Sequence, residues 1–468
     1  MERLAGFDAA FLALESATNH MHVASLLIVD PAGAEGGWSV GRVRELVGER
    51  LPLVPPFRRR LVRVPFGINH PLWADVPEVD FSFHIRRAAL PKPGGVEELA
   101  EVVAEVMGRP LDRSRPLWEM HVIEGLANGL AAVVIKAHHS ALDGISGSEL
   151  LGKLLDGEPA PAREHSAEEG APRDSEPSEA QLIGDAVAAL PGSDRLMAAV
   201  QRTVATVMGL RRRNAASETP PPPSPFTAPR TSLNVRIGPW RRVAWSRLPM
   251  ADIKAVAAAF GATANDVVLA LCSEALCSYF ADRDEKPDGE LVALVPLSLR
   301  GARDQPSSGN LISPMLVSLA SQVEGAAARV RAIAAGAAQA RAQDRMIQRD
   351  LLSEWAGLAI PALAVPAARL GSRLVGGALP PAFNVIISNV PGPKAPLFLA
   401  GARVTELYPL GPVLDSVALN VTVMTYGSSM HVGVVVDRDA VAEPCRITAD
   451  LALALEELTR EAVRPGRR

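Results

Sequence analysis

A short apolar segment that ends in two histidines constrains the fold of this chain more than any other stretch. Residues 131–137 read AAVVIKA, His138-His139 follow, and Asp143-Gly144 come four residues after the second histidine. The apolar run has the length of a buried strand. The next residues, SGSE at 146–149, have the spacing of a capping box that opens a helix. The segment is therefore predicted to fold as a strand, a histidine loop and a helix.

The two histidines are predicted to differ in role because side chains alternate across a strand. His138 and His139 should point to opposite faces, and His139 shares its face with apolar residues, which are Val133, Ile135 and Ala137. Desolvation disfavours the charged form of an imidazole, so His139 is the predicted general base near neutral pH. Asp143 can hold the loop in shape, and Gly144 permits a positive φ or a close backbone approach. The alternative is two partly buried histidines beside a capped helix.

The segment HHSALDG at 138–144 matches the HHxxxDG signature of the chloramphenicol acetyltransferase-like superfamily, which includes the condensation domains of peptide synthetases. Flanking segments narrow the resemblance to the bacterial wax ester synthase/diacylglycerol acyltransferases. They fall in that family's order along the chain, as Leu4–Asp30, the PLW-containing Arg115–Glu119, Asn265-Asp266, Pro296–Arg300, Gly309-Asn310 and Ser388–Pro393. The resemblance covers nearly the whole chain outside its central part.

The resemblance implies an α/β fold of two chloramphenicol acetyltransferase-like (condensation-type) sandwich domains joined by a long linker. A length of 468 residues suits two domains. We place the domains at 1–156, which carries HHxxxDG, and at 229–468. The linker, 157–228, begins with a polar stretch without periodicity, contains one predicted helix over 180–210, and ends in a proline-rich spacer.

The reaction that the resemblance implies is transfer of a long-chain acyl group from acyl-CoA, a co-substrate, to a lipid hydroxyl. Diacylglycerol is the first choice of acceptor and a long-chain alcohol the second. G-x-S-x-G is absent from the chain, so a covalent acyl-enzyme on a serine elbow is not expected. No metal or bound cofactor is expected. The alternatives are a condensation-type enzyme that uses carrier-bound acyl groups and a non-catalytic lipid-binding protein.

Two residues of the second half are candidates because of the family's ND motif, which is linked to the active site. Asn265 is the first candidate for a donor to the developing oxyanion, and Asp266 accompanies it. The alternative is that both residues belong to the capped first turn of a helix over Thr263–Phe280. Ser388 and Asn389 form a second pair, which borders the active-site cleft in the family. A strand followed by a rigid turn also explains that pair.

Two residues of the first half complete the candidate site. Trp118 is either a wall of the acyl channel or a core tryptophan at the start of a strand, and the core interpretation is favoured. Glu15 lies in the amino-terminal segment of the resemblance. Considered by itself, it would be a solvated helix residue.

Composition excludes several function classes and leaves membrane contact open. A net charge of −4 gives no sign of nucleic-acid binding, and the three cysteines form no metal or redox pattern. No secretory signal and no uncharged apolar stretch of spanning length are found, so a cytoplasmic location is expected. The helix predicted over 180–210 ends in three arginines and could lie on an anionic lipid surface. Packing across the two domains is the favoured alternative.

Overall fold

A computed structural model of the chain describes residues 1–4, 6–142, 147–159, 178–189, 193–216, 221–298, 312–344 and 379–463. The strands in these ranges are β1 (Glu2–Arg3), β2 (His22–Asp30), β3 (Arg59–Val62), β4 (Leu72–Asp75), β5 (Ile85–Ala89), β6 (Trp118–Glu124), β7 (Ala131–His138), β8 (Arg241–Pro249), β9 (Val292–Ser298), β10 (Ile312–Ser318), β11 (Val385–Val390), β12 (Phe398–Leu399), β13 (Ala402–Leu410), β14 (Leu419–Tyr426) and β15 (Ser429–Asp437).

The α-helices in the same ranges are α1 (Gly6–Leu14), α2 (Val40–Arg50), α3 (Phe81–His84), α4 (Val96–Gly108), α5 (Gly147–Leu154), α6 (Glu179–Ala188), α7 (Ser193–Ala216), α8 (Met250–Phe260), α9 (Ala264–Ala281), α10 (Ala326–Asp344) and α11 (Pro444–Val463). The predicted helix after the histidine loop is α5. Its predicted cap at Ser146 lies outside the described residues.

The first sheet has the strand order β12-β13-β2-β7-β6-β5, and its central strands are buried on both faces. One apolar cluster joins β7 to α2 and α5, and it contains Val133, Ile135 and Ala137 of the strand. These three residues lie on one face of β7, as predicted. Ala132 and Val134 pack in another cluster, which contains residues of α4. Because both faces are covered, β7 is apolar at nearly every position.

The second sheet has the order β10-β9-β11-β14-β15-β8. Strands β14 and β15 form an antiparallel hairpin, with Gly427 in the turn at a φ of +58°. Helices α8, α9, α10 and α11 contribute apolar side chains to one core with this sheet. The two six-stranded sheets with their helices confirm the predicted α/β class.

Strand β13 comes from the second half of the sequence but pairs with β2 of the first sheet. It also lies against β15, where a Cβ on Gly433 would stand 1.8 Å from the carbonyl oxygen of Pro409. Only glycine allows such a close approach of two backbones. The predicted boundaries at 156 and 229 did not anticipate this crossing, because strand pairing between distant segments leaves no local pattern in a sequence.

The single helix predicted over 180–210 is wrong, since the described residues contain two helices, α6 and α7. The sequence between them reads LPG at 190–192, and a proline followed by a glycine does not favour continuation of a helix. Most of the predicted polar stretch, residues 160–177, lies outside the described residues.

None of the helices in the described ranges is, by itself, long and apolar enough to cross a membrane. Helices α8 and α9 meet the criteria of length and composition only when taken together, and they are bent by 99° relative to each other.

Candidate active site

The turn that follows β7 carries the two histidines. Strand β7 ends at His138, and His139 begins a short 3-10 helix, His139–Leu142. The backbone N–H of His139 donates to the carbonyl oxygen of Met21 at 2.9 Å. Met21 has a φ of +51°, which is an unfavourable conformation for a residue other than glycine. Such strain recurs at functional sites, and here it directs a carbonyl group toward the histidine turn.

The ring of His139 is half-buried and packs against an aromatic side chain. Its centroid lies 4.0 Å from that of Phe11, which α1 brings over the turn. Burial lowers the pKa of His139 to about 4, repulsion from His138 adds to the effect, and a backbone hydrogen bond within His139 opposes it. The ring is therefore uncharged at neutral pH.

His138 has different surroundings, as the alternation of side chains predicted. Its Nδ1 atom accepts the backbone N–H of Ser140 at 3.1 Å and lies 2.6 Å from that residue's hydroxyl oxygen. A nitrogen that accepts a hydrogen bond carries no proton, so the ring proton belongs on Nε2. Nε2 lies 3.2 Å from the Oε2 atom of Glu15. His138 thus joins the turn to the segment that follows α1.

Glu15 is not the solvated residue that its helix position suggested, since its side chain is only 10% exposed. The guanidinium of Arg113 donates to its carboxylate, through Nε at 2.9 Å and through a second nitrogen. Burial raises the pKa of Glu15, but hydrogen bonds from His138 and Arg113 outweigh that effect and hold the pKa below its usual value. Arg113 and Met21 are site residues that sequence reasoning missed, because their contacts join segments far apart in the chain.

We predict that Glu15→Gln lowers the free energy of unfolding by about 2 kcal/mol at pH 7, since it weakens two charge-assisted hydrogen bonds. The folded pKa of Glu15 lies below the usual 4.5, so this stabilisation is complete above pH 4.5 and is lost as the pH falls through the folded pKa. Urea denaturation between pH 3 and 7 should show the stability of wild type and variant converging at the acid end. The exposed Glu78 provides the control, because Glu78→Gln should change little. A constant difference at every pH would contradict this assignment.

Two further histidines extend from His138 into the protein. His22 is paired with His138 across β2 and β7, and their ring centroids lie 6.2 Å apart in an edge-on arrangement. His20 stacks on His22 at 5.3 Å. Burial lowers the pKa of His22 well below its usual value, and the nearby charge of Lys136 adds to this effect. His22 thus lies behind His138 in the first sheet.

Trp118 lies in the core of the first sheet. Its side chain is fully buried, and its indole N–H donates to the carbonyl oxygen of Phe57 at 2.9 Å. The ring is stacked between Phe57 and His84, with centroid distances of 4.7 and 4.5 Å. These contacts agree with the favoured core interpretation. The role of Trp118 as a channel wall stays a prediction.

The candidate residues of the second half meet at the start of α9. Thr263 caps this helix, and Asp266 accepts hydrogen bonds from the backbone N–H and the hydroxyl of Thr263 at 2.9 and 2.7 Å. Asp266 therefore has the capping position that the alternative interpretation gave it. Asn389, near the end of β11, donates from Nδ2 to the Oδ1 atom of Asn265 at 3.4 Å. The structure thus brings the pair Asn265-Asp266 together with the pair Ser388-Asn389. Ser388 is half-buried.

One apolar cluster contains residues from both halves of the chain. Val390, which follows Asn389, packs on the same apolar cluster as Leu142, the last residue of the histidine turn. Asp143 and Gly144 lie outside the described residues, so their predicted places in the loop stay predictions. Within the described ranges, no three His, Cys, Asp or Glu side chains are grouped in a way that could hold a metal ion.

This arrangement of two sheets defines a condensation-type α/β fold. The first condensation domain of the CDA synthetase superposes with a TM-score of 0.55 at 16% identity, over 100% of this chain and 97% of that one, which is a likeness of fold alone. The wax ester synthase/diacylglycerol acyltransferase of Marinobacter aquaeolei VT8 is more similar, with a TM-score of 0.69 and 29% identity. The superposition covers 99% of this chain and 100% of the Marinobacter protein.

Comparison with protein families identifies the group within this fold. Residues 4–268 match the wax ester synthase/diacylglycerol acyltransferase catalytic domain, and residues 308–459 match the C-terminal domain of the same family. A Mycobacterium tuberculosis protein that carries the name diacylglycerol O-acyltransferase is 36% identical over 98% of this chain and 90% of its own length. A Mycobacterium bovis protein of the same name is 34% identical over 96% of this chain and 97% of its own. The chain belongs to the wax ester synthase/diacylglycerol acyltransferase family, and it is an acyltransferase.

Proposed function

We propose that this enzyme transfers a long-chain acyl group from acyl-CoA to the hydroxyl of diacylglycerol, and also to long-chain alcohols, with His139 as general base. The observation that carries the proposal is the half-buried ring of His139, whose pKa of about 4 keeps it able to accept a proton at neutral pH. The names of the related proteins support diacylglycerol as the acceptor.

The bonds and protons of the proposed reaction balance without a further cofactor. The acceptor oxygen attacks the thioester carbonyl, its proton passes to His139, and a C–O bond forms. Collapse of the tetrahedral intermediate breaks the C–S bond, and the protonated ring returns the proton to the departing thiolate of coenzyme A. No group of the enzyme becomes acylated. Because acyl-CoA is an intracellular co-substrate, we place the reaction in the cytoplasm.

The oxyanion of the intermediate needs hydrogen-bond donors, and we assign one to Asn265. Asn389 donates to its Oδ1 atom, which fixes the orientation of the amide and directs the two N–H groups of Asn265 elsewhere. A preorganised amide donor of this kind stabilises developing negative charge without reorganisation. Asn389 is then a positioning residue for Asn265.

The role of His138 follows from the same reasoning. Its Nδ1 accepts from Ser140, and its Nε2 faces Glu15, so both ring nitrogens serve the shape of the turn. We propose that His138 holds the backbone from which His139 projects, and that Glu15 and Arg113 hold His138.

The proposed function is tested with purified protein and radiolabelled long-chain acyl-CoA, offered with diacylglycerol, with hexadecanol or with neither. Formation of labelled triacylglycerol or wax ester supports the proposal. Product from a carrier-bound acyl group but not from acyl-CoA would favour a condensation-type enzyme. Binding of the lipids with no product from either donor would make the chain a lipid-binding protein.

The pH dependence of the reaction should report the state of His139. We predict that kcat/KM stays nearly constant from pH 8 down to about 5 and falls only near pH 4, where the ring of His139 becomes protonated. A histidine with an ordinary pKa would place this fall in kcat/KM near pH 6.5. The measurement is kcat/KM for acyl-CoA across pH 4–8, with each sample re-assayed at pH 7 to exclude unfolding. A fall in kcat/KM near pH 6.5 would mean that the ring of His139 is solvated during the reaction.

A further inference from the structure

Arg241, the first residue of β8, is a buried charge in the second half of the chain. Its side chain is only 4% exposed. One terminal nitrogen of the guanidinium donates to the carbonyl oxygens of Gly238 and Trp240 at 2.6 and 3.1 Å. The same nitrogen lies 3.8 Å from the Oδ2 atom of Asp437, the residue that faces Arg241 across β15 and β8. These contacts hold the guanidinium at one end of the second sheet.

Burial does not neutralise this side chain. Burial lowers the pKa of Arg241 to about 10, and the nearby carboxylates of Asp437 and Asp415 oppose that effect. Arg241 is therefore still charged at neutral pH.

The other terminal nitrogen of Arg241 reaches the first half of the chain. It donates to the carbonyl oxygen of Thr18, which lies in the segment between α1 and β2, residues 15–21. A hydrogen bond from a charged donor is roughly twice as strong as one between neutral groups. The second sheet thus holds the 15–21 segment near its middle.

The 15–21 segment holds the histidine turn from both of its ends. Glu15 begins the segment, and its Oε2 atom lies 3.2 Å from Nε2 of His138. Met21 ends the segment and accepts the backbone N–H of His139 at 2.9 Å. The unfavourable φ of Met21 persists only where surrounding contacts fix the backbone. The position of the His139 backbone therefore depends on how firmly this segment is held.

The middle of the segment is a compact turn that moves as one unit. The hydroxyl of Ser16 accepts the backbone N–H groups of Thr18 and Asn19 at 3.3 and 3.0 Å. The backbone N–H of Ser16 donates to the carbonyl oxygen of Asn19 at 2.8 Å. Because the turn is bonded to itself, a constraint on the carbonyl of Thr18 is passed to both ends of the segment.

We infer that Arg241 is a positioning residue for His139. Its guanidinium holds the carbonyl of Thr18, which fixes the 15–21 segment, and that segment fixes the backbone from which His139 projects. This inference rests on the proposed function, in which His139 is the general base, and makes the position of that base depend on the second sheet. Lysine cannot replace Arg241, because a single ammonium cannot occupy both ends of the guanidinium fork at once.

The first test is hydrogen exchange of the full-length protein without substrates, followed by mass spectrometry. Arg241→Lys keeps the charge but loses the fork, so the backbone amides of residues 138–142 should exchange roughly tenfold faster than in wild type. Exchange at the wild-type rate in this variant would overturn the proposal.

The matched control is Arg329→Lys. Arg329 is a similarly buried arginine of the second half, on α10, which donates to the carbonyl oxygen of Val323 at 3.0 Å and pairs with Glu274. It makes the same kinds of contact as Arg241 but touches no part of the 15–21 segment among the described residues. Residues 138–142 should exchange at the wild-type rate in this control, and an equal increase there would count against the proposal.

A second comparison covers the case in which Arg241→Lys does not fold. Arg241→Gln/Asp437→Asn removes the guanidinium without leaving a buried carboxylate unpaired, whereas Asp437→Asn alone keeps the guanidinium. A glutamine is too short to reach Thr18, so exchange at residues 138–142 should rise in the double variant and not in the single one. Equal exchange in the two variants would show that the contact with Thr18 does not matter, and the inference would fail.

Kinetics then ask whether Arg241 acts through His139. A small misplacement of a reacting group can cost up to about a hundredfold in rate, so Arg241→Lys should lower kcat by roughly ten- to a hundredfold. KM for acyl-CoA should change much less, and Arg329→Lys should keep wild-type kcat. In the His139→Ala background, Arg241→Lys should cause little further loss, because the two residues act as a unit. An equal loss of kcat in both backgrounds would mean that Arg241 acts independently of the base.

The exchange measurement separates this inference from the proposed function, because it needs no acyl transfer. Faster exchange in Arg241→Lys, together with a wild type that transfers no acyl group, would contradict the proposed function and leave the link from Arg241 to the histidine turn standing. Acyl transfer by wild type, together with unchanged exchange in Arg241→Lys, would do the reverse.

Discussion

Replacing His139 with alanine should lower kcat by about a hundred- to ten-thousandfold, which is the range expected for loss of a general base. The change removes the ring that packs on Phe11, while the hydrogen bond from the backbone N–H of residue 139 to Met21 can persist. We therefore expect KM for acyl-CoA to change much less than kcat. The measurement is a steady-state assay with acyl-CoA and diacylglycerol.

His121→Ala is the matched control for this experiment. His121 is also buried in the first sheet, on β6, but its Nε2 lies 3.1 Å from Glu119 rather than near the histidine turn. It should keep at least about a tenth of wild-type kcat. If His139→Ala were as active as wild type and equally well folded, His139 could not be the base, and the mechanism would have to be abandoned.

Trp118→Ala should lower the free energy of unfolding by about 3–5 kcal/mol, because it leaves a cavity between two stacked rings. It also leaves the carbonyl oxygen of Phe57 without the indole donor that now reaches it at 2.9 Å. Urea denaturation followed by circular dichroism provides the measurement. Trp118→Phe, which keeps most of the stacking with Phe57 and His84, should recover more than half of the loss.

The same pair of variants separates the two interpretations of Trp118. If Trp118 acts through the core, kcat/KM should scale with the folded fraction for acyl chains of every length. A channel wall would instead change the preference for acyl chain length in the stable Trp118→Phe variant. A change in chain-length preference without loss of stability would make Trp118 a specificity residue.

Local patterns in the sequence predicted most elements near the site. Strand β7 was predicted to within one residue, because apolar runs are properties of neighbouring residues. The partition of β7 into two faces was correct for the same reason. The prediction of one helix over 180–210 was wrong. Apolar periodicity continues through this range, but Pro191 and Gly192 disfavour a continuous helix.

The neighbours of the site residues could not be predicted in this way. Glu15 looks solvated in its own segment, and only contact with Arg113 and His138 makes it a buried ion-pair partner. Asn265 and Asn389 were separate candidates, and their hydrogen bond joins two motifs more than a hundred residues apart. Such contacts depend on how distant segments meet, which no window along the chain contains.

The sequence alone determined the chemistry that this chain carries: a histidine pair at the end of a buried strand, in a segment order that resembles one acyltransferase family. The tertiary structure alone decided the electrostatic state of that histidine and the identity of the groups that hold its turn. It also decided the crossing of β13 into the first sheet. The physical reason is that motif and periodicity are short-range properties, whereas burial, pKa and backbone approach are set by residues that only the fold brings together.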